Sequence, residues 1–456
     1  MSASAQELFD RAVAAETAGQ VDAAQSLLEQ AIGLAPDHIP ALVNLGTIYQ
    51  DRGLLDLAED LYRRALAIAP DTAFALHNLA GLLLRRGETS SAIACWHAAI
   101  QADPDNAFFR FNLAGALELT LDLDAALAQL NTILVRTPDH IPARMAKVPI
   151  LFDLGRFPEA WEHYAYRHRM FWNAYPEHRR PLPSPLWRGE PLAGKKLLVS
   201  YDQGLGEQIM FASLFQRIIE QGARLVIECE ARLVPLFARS FPAAQVVPWQ
   251  QPWNPVVKAP DIDFHIPAGD LGRWMQTDCD QPPPSRGHLV ANPGMTQLLR
   301  ARYEALAAGR KIVGISWHSA AKTYAHFKSL PLELLKPITD DPALFCVGVQ
   351  YGAEGRIASS LYVDPAVDPT LDIDMAAAQL AAMDAVVSIS NTAAHLAGAL
   401  GKPTYLLLPK VKGRIWYWFP ERAQNPWYAS VRPYAQKIDG VWNDVVADVA
   451  AALKGM

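Results

Sequence analysis

The chain has 456 residues and a formal net charge of −6 at pH 7, and 51% of its residues are hydrophobic. This length predicts two or three domains, and the negative charge argues against a general nucleic-acid-binding protein. We read no signal peptide and no apolar run long enough to span a bilayer, so we expect a cytoplasmic protein. The four cysteines are far apart and form no CxxC pair, which argues against a disulfide framework or a zinc site.

The first third of the chain repeats with a period of 34 residues. Small residues at this period let paired helices touch, larger apolar residues fill the seam between them, and proline ends the second helix of each pair. The pattern resembles the tetratricopeptide repeat (TPR). We therefore expect an α-solenoid over residues 1–166, with four full repeats and a degenerate fifth one around Gly155, Ala160 and Tyr164. The residues that keep the period are Pro36, Pro70, Pro104 and Pro138; Ala24, Ala58, Ala92 and Ala126; and Leu45, Leu79 and Leu113.

Asn44, Asn78 and Asn112 also recur at this spacing, on the first helix of each predicted pair. A side-chain amide can both donate to and accept from a peptide backbone. A ladder of such amides on the concave face would hold an extended chain without reading its sequence, so we expect these residues to bind a protein partner. Asparagine is also common at this position in TPRs of every kind, which leaves a structural role open.

The amino-acid composition and the hydrophobic pattern change after the repeats. Residues 167–195 are rich in proline, aromatic residues and arginine, which predicts an ordered linker. Strand-like segments then alternate with glycine turns and amphipathic segments over 196–290, and again over 311–456, which predicts parallel sheets covered by helices. A proline-rich crossing at 281–294 and a helix within 291–310 separate the two series. We therefore expect two Rossmann-like halves with a cleft between them.

The first strand of the α/β region leads into the glycine turn "DQGLGEQ". Gly204 and Gly206 would let the backbone approach a ligand at the start of the next helix, although a tight turn between strand and helix needs the same residues. The third glycine of a GxGxxG fingerprint is absent, which argues against a dinucleotide site. Ligands of such sheets bind at the carboxyl ends of the strands, so this turn is a candidate site.

A second polar turn opens the segment "VSISNTAAHLAGALGKPTYLLLP" in the C-terminal half. Ser390, Asn391 and Thr392 lie between an apolar strand and a helix of small residues. A helix start offers free N–H groups and the positive end of the helix dipole, which favours a phosphate. The same residue types also cap helices, and the two roles use the same atoms. Lys328 and His318 would point towards the same edge of the sheet.

That segment, with "VGISWHS", "KSLPLELL", "VGVQYG" and "NPWYASVRPY", resembles the C-terminal half of bacterial TPR-linked glycosyltransferases. These are GT-B enzymes related to heptosyltransferases and more distantly to O-GlcNAc transferases, and "PLWRGEPLAGKKLLVSYDQGLGEQIMFASL" resembles their N-terminal half. The resemblance covers nearly the whole chain. It implies an α + α/β protein, with a TPR solenoid before a GT-B fold, that transfers a sugar from a nucleotide-sugar to hydroxyl groups of a protein. Flagellin is a candidate acceptor. The donor-binding residues it implies are His318, Lys328, Gln350, Ser390, Asn391, Thr392 and His395.

Inverting transfer to a hydroxyl needs a base, and a carboxylate in the cleft can take the acceptor proton. Glu207 is our candidate, although glutamate in a first helical turn is also favoured by the helix dipole. Heptosyltransferases have aspartate at this position. They also have an Asp-Thr pair where this chain has Ser390 and Asn391, which puts a heptose donor in doubt.

Two DID triplets, at 261–263 and 372–374, imitate the DxD metal motif of GT-A enzymes but lie outside such a context. We therefore expect neither a required metal nor another cofactor. Two alternatives to a protein-directed transferase stay open. One is a saccharide- or lipid-directed enzyme of the heptosyltransferase kind, and the other is a non-catalytic TPR scaffold with a degenerate transferase domain.

Overall fold

A computed structural model describes residues 3–174, 180–275, 287–320, 325–352, 361–422 and 425–456. The chain forms two compact units, Met1–Ile150 and Leu151–Met456. Within the described ranges, no helix combines the length and the apolar character that crossing a membrane requires. Parts of the predicted linker, at 175–179, and of the proline-rich crossing, at 281–286, lie outside the described residues.

The first unit is built from antiparallel helix pairs. Ala24, Ala58, Ala92 and Ala126 are all 0% exposed, which is the close helix contact that their spacing predicted. The helices are α1 (Ala5–Thr17), α2 (Val21–Leu34), α3 (Ile39–Asp51), α4 (Leu55–Ile68), α5 (Ala73–Arg85), α6 (Thr89–Ala102), α7 (Ala107–Leu119), α8 (Leu123–Arg136) and α9 (Ile141–Asp153), the last of which continues into the second unit.

The turn inside each pair also keeps the 34-residue period. Gly19, Gly53, Gly87 and Gly155 have φ angles of 74°, 77°, 84° and 74°. These angles are in the left-handed region, which glycine adopts without steric cost. Leu121 holds the equivalent position with φ 61°, so the fourth turn keeps the same geometry without glycine.

The second unit begins with two short helices, α10 (Phe157–Tyr164) and α11 (Arg167–Ala174). The residues 151–166 that we assigned to the repeat array therefore pack with the α/β region. Helix α11 lies within the predicted linker, whose proline-rich and aromatic composition did not indicate a helix.

A four-stranded parallel sheet follows, in the order β3-β2-β1-β4. Leu198 pairs with Val226 on one side and with His265 on the other. The amphipathic segment after the first strand forms two helices, separated by a 3₁₀ turn at 212–214. The elements are β1 (Lys196–Ser200), α12 (Leu205–Phe211), α13 (Phe215–Glu220), β2 (Arg224–Cys229), α14 (Val234–Ser240), β3 (Gln245–Pro248), β4 (Phe264–Pro267) and α15 (Leu271–Met275).

Helix α16 (Pro293–Ala307) precedes a five-stranded parallel sheet in the order β6-β5-β7-β8-β9. All five strands run parallel, and helices cover the sheet, which confirms the predicted α/β character of this region. The elements are β5 (Lys311–Ser316), α17 (Ala325–Lys328), α18 (Lys336–Thr339), β6 (Leu344–Gly348), α19 (Ile373–Ala381), β7 (Ala385–Ile389), α20 (Thr392–Ala399), β8 (Thr404–Leu408), β9 (Val431–Ala435) and α21 (Asn443–Lys454).

Candidate functional site

The two polar turns that the sequence singled out meet where the two sheets face each other. The helix that begins at the glycine turn, α12, packs against α20, which begins at the serine–asparagine–threonine turn. A Cβ atom on Gly206 would lie 2.7 Å from Cδ2 of His395. Only glycine permits this approach, so Gly206 lets the backbone of one half contact the other half.

The glycine turn is held in an uncommon backbone conformation. Gln203 has a φ of 63°, which is unfavourable for a residue with a side chain. The Nε2 atom of Gln208 donates to the carbonyl of Gln203 (3.2 Å), while its Oε1 accepts from the N–H of Glu230 (2.9 Å). Gln208 thereby ties the turn to the end of β2, and Glu207 is carried on the same first helical turn.

Glu207 is partly buried and directs its carboxylate back over Gly204. Burial raises the pKa of Glu207, against the effects of its own N–H, the Tyr417 hydroxyl and Lys328. The Tyr417 hydroxyl lies 3.5 Å from Oε1 of Glu207. A carboxylate with a raised pKa is a stronger base, which is the property that proton abstraction from a hydroxyl needs.

Lys328 ends α17 and is only 6% exposed. Burial lowers the pKa of Lys328, and the charge of Glu207 acts in the opposite direction. Among the described residues, the Lys328 ammonium has neither a hydrogen bond nor an ion pair within 4.0 Å. An unpaired charge at such a depth is costly, and an anion bound there would compensate it.

The start of α20 already uses most of its own polar atoms. Oδ1 of Asn391 accepts from the N–H groups of Ala393 (3.0 Å) and Ala394 (3.3 Å), so Asn391 is the N-cap. Ser390 Oγ accepts from Nε1 of Trp418 at 2.7 Å. A phosphate at this helix start would therefore have to share N–H groups with the Asn391 side chain.

Gln350 organises the end of the neighbouring strand β5. Its Oε1 accepts from Ser316 Oγ (2.9 Å) and from the N–H groups of Trp317 (3.1 Å) and His318 (3.0 Å). Its Nε2 donates to the carbonyls of His318 (3.1 Å) and Tyr351 (3.0 Å). Gln350 thus holds the backbone of His318 in place through these hydrogen bonds. A contact between Gln350 and the nucleotide-sugar stays a prediction.

His395 is a buried, neutral histidine. It is 2% exposed, and its Nδ1 lies 2.8 Å from the Tyr428 hydroxyl. Burial lowers the pKa of His395 to about 3, with a further contribution from Lys328. Its ring packs between those of Tyr417 and Trp418, at centroid distances of 5.1 and 4.5 Å. Because aromatic side chains surround it, His395 packs in the interior next to the site. Its predicted contact with the nucleotide-sugar stays untested.

The two DID triplets have partners within the protein. Among the described residues, no group of three or more histidine, cysteine, aspartate or glutamate side chains is placed to hold a metal ion. The partners of the outer aspartates are Lys196 for Asp261, Lys195 for Asp263, the N–H of Met375 for Asp372 and Arg239 for Asp374.

A mostly apolar cavity of about 290 Å³ adjoins the start of α20. Both halves line it, with Leu205 and Arg232 from the first and Tyr351, Ile373 and Thr392 from the second. Of its lining residues, Thr392 is the one that was predicted as a site residue. Leu205, Tyr351 and Ile373 lie in segments quoted above, but these segments are far apart in the chain, so no local pattern groups them into one cavity.

The predicted asparagine ladder lies in the first unit, on α3, α5 and α7. All three side chains are partly buried. Nδ2 of Asn78 donates to Thr47 Oγ1 (3.2 Å), and Nδ2 of Asn112 donates to the carbonyl of Phe108 (2.8 Å). The Asn78 side chain also hydrogen-bonds Tyr62, so part of the amide ladder already has partners within the repeats.

Comparison with known proteins assigns the repeats. Profiles of the tetratricopeptide repeat match residues 37–95 and 77–141. The chain carries tetratricopeptide repeats. This confirms the repeat prediction.

Protein FlbA of Caulobacter vibrioides is 29% identical over 342 residues, which cover 68% of this chain and 54% of FlbA. The chain thus spans about half the length of this curated relative. Because the matched stretch is longer than the first unit, the likeness extends into the α/β region. Solved structures of MamA and of a tetratricopeptide repeat protein from Parabacteroides merdae are 20% and 21% identical. They cover 36% and 38% of this chain and 97% and 68% of their own chains, each with a TM-score of 0.33.

Proposed function

We propose that this protein is a GT-B glycosyltransferase that moves a sugar from a nucleotide-sugar to hydroxyl groups of a protein. The observation that carries the proposal is the electrostatic interaction of Glu207 with Lys328, which has no hydrogen-bond or ion-pair partner among the described residues, beside the contact between α12 and α20. Glycosyl transfer to a hydroxyl needs these two groups together, a base for the acceptor and a cation for the departing diphosphate.

In the proposed reaction, the Glu207 carboxylate takes the proton of the acceptor hydroxyl. The hydroxyl oxygen forms a bond to the anomeric carbon of the donor sugar, on the face opposite the diphosphate. The bond between the anomeric carbon and the diphosphate oxygen breaks, and the electron pair leaves with the nucleoside diphosphate. Lys328 stabilises the negative charge that develops there, which would relieve its own lack of a partner.

The cavity beside α20 suits the nucleoside of such a donor. Its apolar walls and the ring of Tyr351 can receive a flat base, and Arg232 is the charged residue that lines it. A nucleoside in the cavity would direct its phosphates towards Thr392 and the start of α20. This arrangement supports a donor in the C-terminal half.

The repeats support a protein as the acceptor. Tetratricopeptide repeats commonly form extended surfaces that bind other proteins, and the partly buried amides of Asn44, Asn78 and Asn112 are available on this unit. We propose that the array docks the acceptor protein, with flagellin as the first to test because of the family resemblance.

The proposal is tested by measuring the thermal stability of the full chain with a panel of nucleotides and nucleotide-sugars. A bound ligand stabilises the folded protein by mass action. The ligand that stabilises it is then used with a protein acceptor, and sugar transfer is followed by mass spectrometry with and without EDTA.

We expect stabilisation by one nucleotide class and transfer that continues in EDTA. Stabilisation with sugar transfer only to a saccharide or lipid would favour that class of acceptor instead. If no nucleotide stabilises the protein while the repeats still bind a protein, the chain is a non-catalytic scaffold and the proposal is wrong.

A further inference from the structure

The helices that follow the repeats contact the glycine turn directly. Arg167 of α11 is 8% exposed, and its guanidinium bridges Asp202 and Asp270. Asp202 belongs to the glycine turn, and its carboxylate also accepts from the N–H of Gly269 at 3.1 Å. Burial alone would raise the pKa of Asp270, but Arg167 lowers it to about 2. The guanidinium therefore pairs with two carboxylates in a buried cluster, in which Nε2 of His168 also lies 3.3 Å from Asp270.

A second contact reaches the next residue of the turn. Nε2 of Gln203 donates to the hydroxyl of Tyr164, the last residue of α10. Gln203 is the residue with the left-handed backbone conformation. Such a conformation is strained for a residue with a side chain and persists where neighbouring contacts hold it. Tyr164 and Arg167 thus anchor the two residues that precede Gly204.

The end of α9 and helix α10 also contact the segment that carries Tyr417. The ring of Phe152 stacks on Trp416, with centroids 4.1 Å apart and an interplanar angle of 12°. Trp161 and Tyr164 meet Trp416 edge-on, at 5.8 and 5.7 Å. Trp416 directly precedes Tyr417, whose hydroxyl faces the Glu207 carboxylate.

We propose that Tyr164 and Arg167 are positioning residues that hold the glycine turn so that Glu207 faces the cleft. This inference rests on the proposed role of Glu207 as the base. Helices α10 and α11, which follow the repeats, would then support the glycine turn before Glu207. This role is distinct from docking the acceptor protein. In the proposed reaction, neither Tyr164 nor Arg167 contacts the substrates.

Arg167 has an electrostatic effect in addition to its hydrogen bonds. The charged and titratable groups that interact with Glu207 are Lys328, Asp202, Tyr417, Tyr164 and Tyr428. Asp202 raises the pKa of Glu207, and Arg167 compensates the charge of Asp202. Without the Arg167 charge, the uncompensated Asp202 would raise the pKa of Glu207 further. The acid limb of the rate profile would then move to higher pH.

The experiment compares wild type with Tyr164→Phe, Arg167→Lys and Arg167→Gln in the full chain. Arg300→Gln is the matched control. Arg300 also pairs with an aspartate, Asp384, that accepts a backbone N–H, but this pair lies at the amino end of β7, away from the cleft.

The first readout is hydrogen exchange of the amides of residues 203–208, which needs no enzyme activity. We expect exchange about tenfold faster or more in Tyr164→Phe and both Arg167 variants, because local opening of the turn becomes easier. Exchange should be unchanged in Arg300→Gln. Unchanged exchange in Tyr164→Phe, a variant that removes only one hydroxyl, would overturn the positioning role.

The second readout is the pH profile of sugar transfer. We expect kcat to fall about tenfold or more in each of the three variants, with KM for the donor unchanged, since misplacing a catalytic group costs rate. The acid limb should stay in place in Arg167→Lys, which keeps the charge, and move to higher pH in Arg167→Gln. If exchange changes but wild type transfers no sugar, the proposed function fails and the support of the turn stands.

Discussion

Glu207 and Lys328 carry opposite charges that act on each other across the cleft, yet they form no ion pair. Each is buried enough for its pKa to move towards the neutral form, upwards for Glu207 and downwards for Lys328. A direct ion pair would favour the charged form of both groups and would therefore oppose both pKa shifts. In the proposed reaction the carboxylate acts on the acceptor hydroxyl and the ammonium on the diphosphate, so the two groups have separate roles.

Lys328→Met should separate binding from stability. Removing the ammonium should weaken nucleotide binding by about 1.5–3 kcal/mol, the range for a hydrogen bond to a charged group. The same change should leave the melting temperature equal or higher, because the lysine is buried and has no partner among the described residues. Titration calorimetry and thermal unfolding check both, with the exposed Lys336→Met as control. Unchanged nucleotide affinity in Lys328→Met would remove the phosphate role.

Glu207→Gln should affect chemistry rather than binding. We expect turnover to fall about 10²-fold or more, the usual scale for a general base, with nucleotide affinity nearly unchanged. In wild type the deprotonated carboxylate is active, so the rate should increase as pH rises through the raised pKa of Glu207. The acid limb should therefore lie above the usual carboxyl range. The exposed Glu220→Gln is the control, and turnover of Glu207→Gln within about threefold of wild type would eliminate this base.

Gly206→Ala should destabilise the second unit. The added methyl group would lie 2.7 Å from the ring of His395, which is buried and held by the Tyr428 hydroxyl. Overpacking of this kind costs about 1–3 kcal/mol, measured by denaturant unfolding. Gly294→Ala is the matched control, because the nearest atom to its added Cβ lies at an ordinary 3.6 Å. Equal stability of the two variants would contradict the close contact between the halves.

Stability should fall as the solution becomes mildly acidic. Burial lowers the pKa of His395 to about 3 and that of His288 to about 4, so both stay neutral in the folded chain. Unfolded histidine binds a proton below about pH 6.5. Each buried histidine should therefore remove about 1.4 kcal/mol of stability per pH unit below that value.

Urea unfolding between about pH 5 and pH 6.5 measures this slope while most unfolded carboxylates are still ionised. His288→Asn should flatten the profile, and the exposed His97→Gln should not. A profile with the wild-type slope in His288→Asn would show that this histidine does not cause the loss.

The asparagines of the array should matter for the acceptor and not for the donor. Replacing Asn44, Asn78 and Asn112 together by alanine should weaken binding of the acceptor protein about tenfold or more, since several hydrogen bonds to a peptide backbone are lost. Nucleotide affinity should not change. The control replaces the exposed Arg63, His97 and Asn131, which keep the same 34-residue spacing on the second helices. An equal effect of both triple variants would contradict a specific amide ladder.

The repeat array and the alternation of strands and helices were predictable because both follow from local patterns. The 34-residue spacing of Ala24, Ala58, Ala92 and Ala126 marks contacts between helices adjacent in the chain, and all four alanines are fully buried. The strands of the α/β region were recognisable from apolar segments bounded by glycine turns. The two polar turns were also identifiable, because each directly follows a strand and parallel strands present these turns at one edge of the sheet.

The hydrogen-bond partners of the residues in and around those turns were not predictable. Nothing in the local sequence indicates that Asn391 caps α20 while Ser390 accepts from Trp418, or that Gln350 organises the end of β5. The helix at Arg167 lay within a segment that read as linker, because its composition has no 3.6-residue period. The DID triplets look alike in sequence, and only their surroundings give each aspartate its partner.

The sequence by itself determined the elements of this protein, since helix pairs, strands and turns depend on residues close together in the chain. The tertiary structure decided which of them form a site. Glu207, Lys328 and Arg167 come from three distant segments. Glu207 interacts with Lys328, and Arg167 pairs with Asp202, only after the sheets and the post-repeat helices pack together. Burial and electrostatic interaction depend on distance in space, and the spacing of residues in a sequence does not contain that distance.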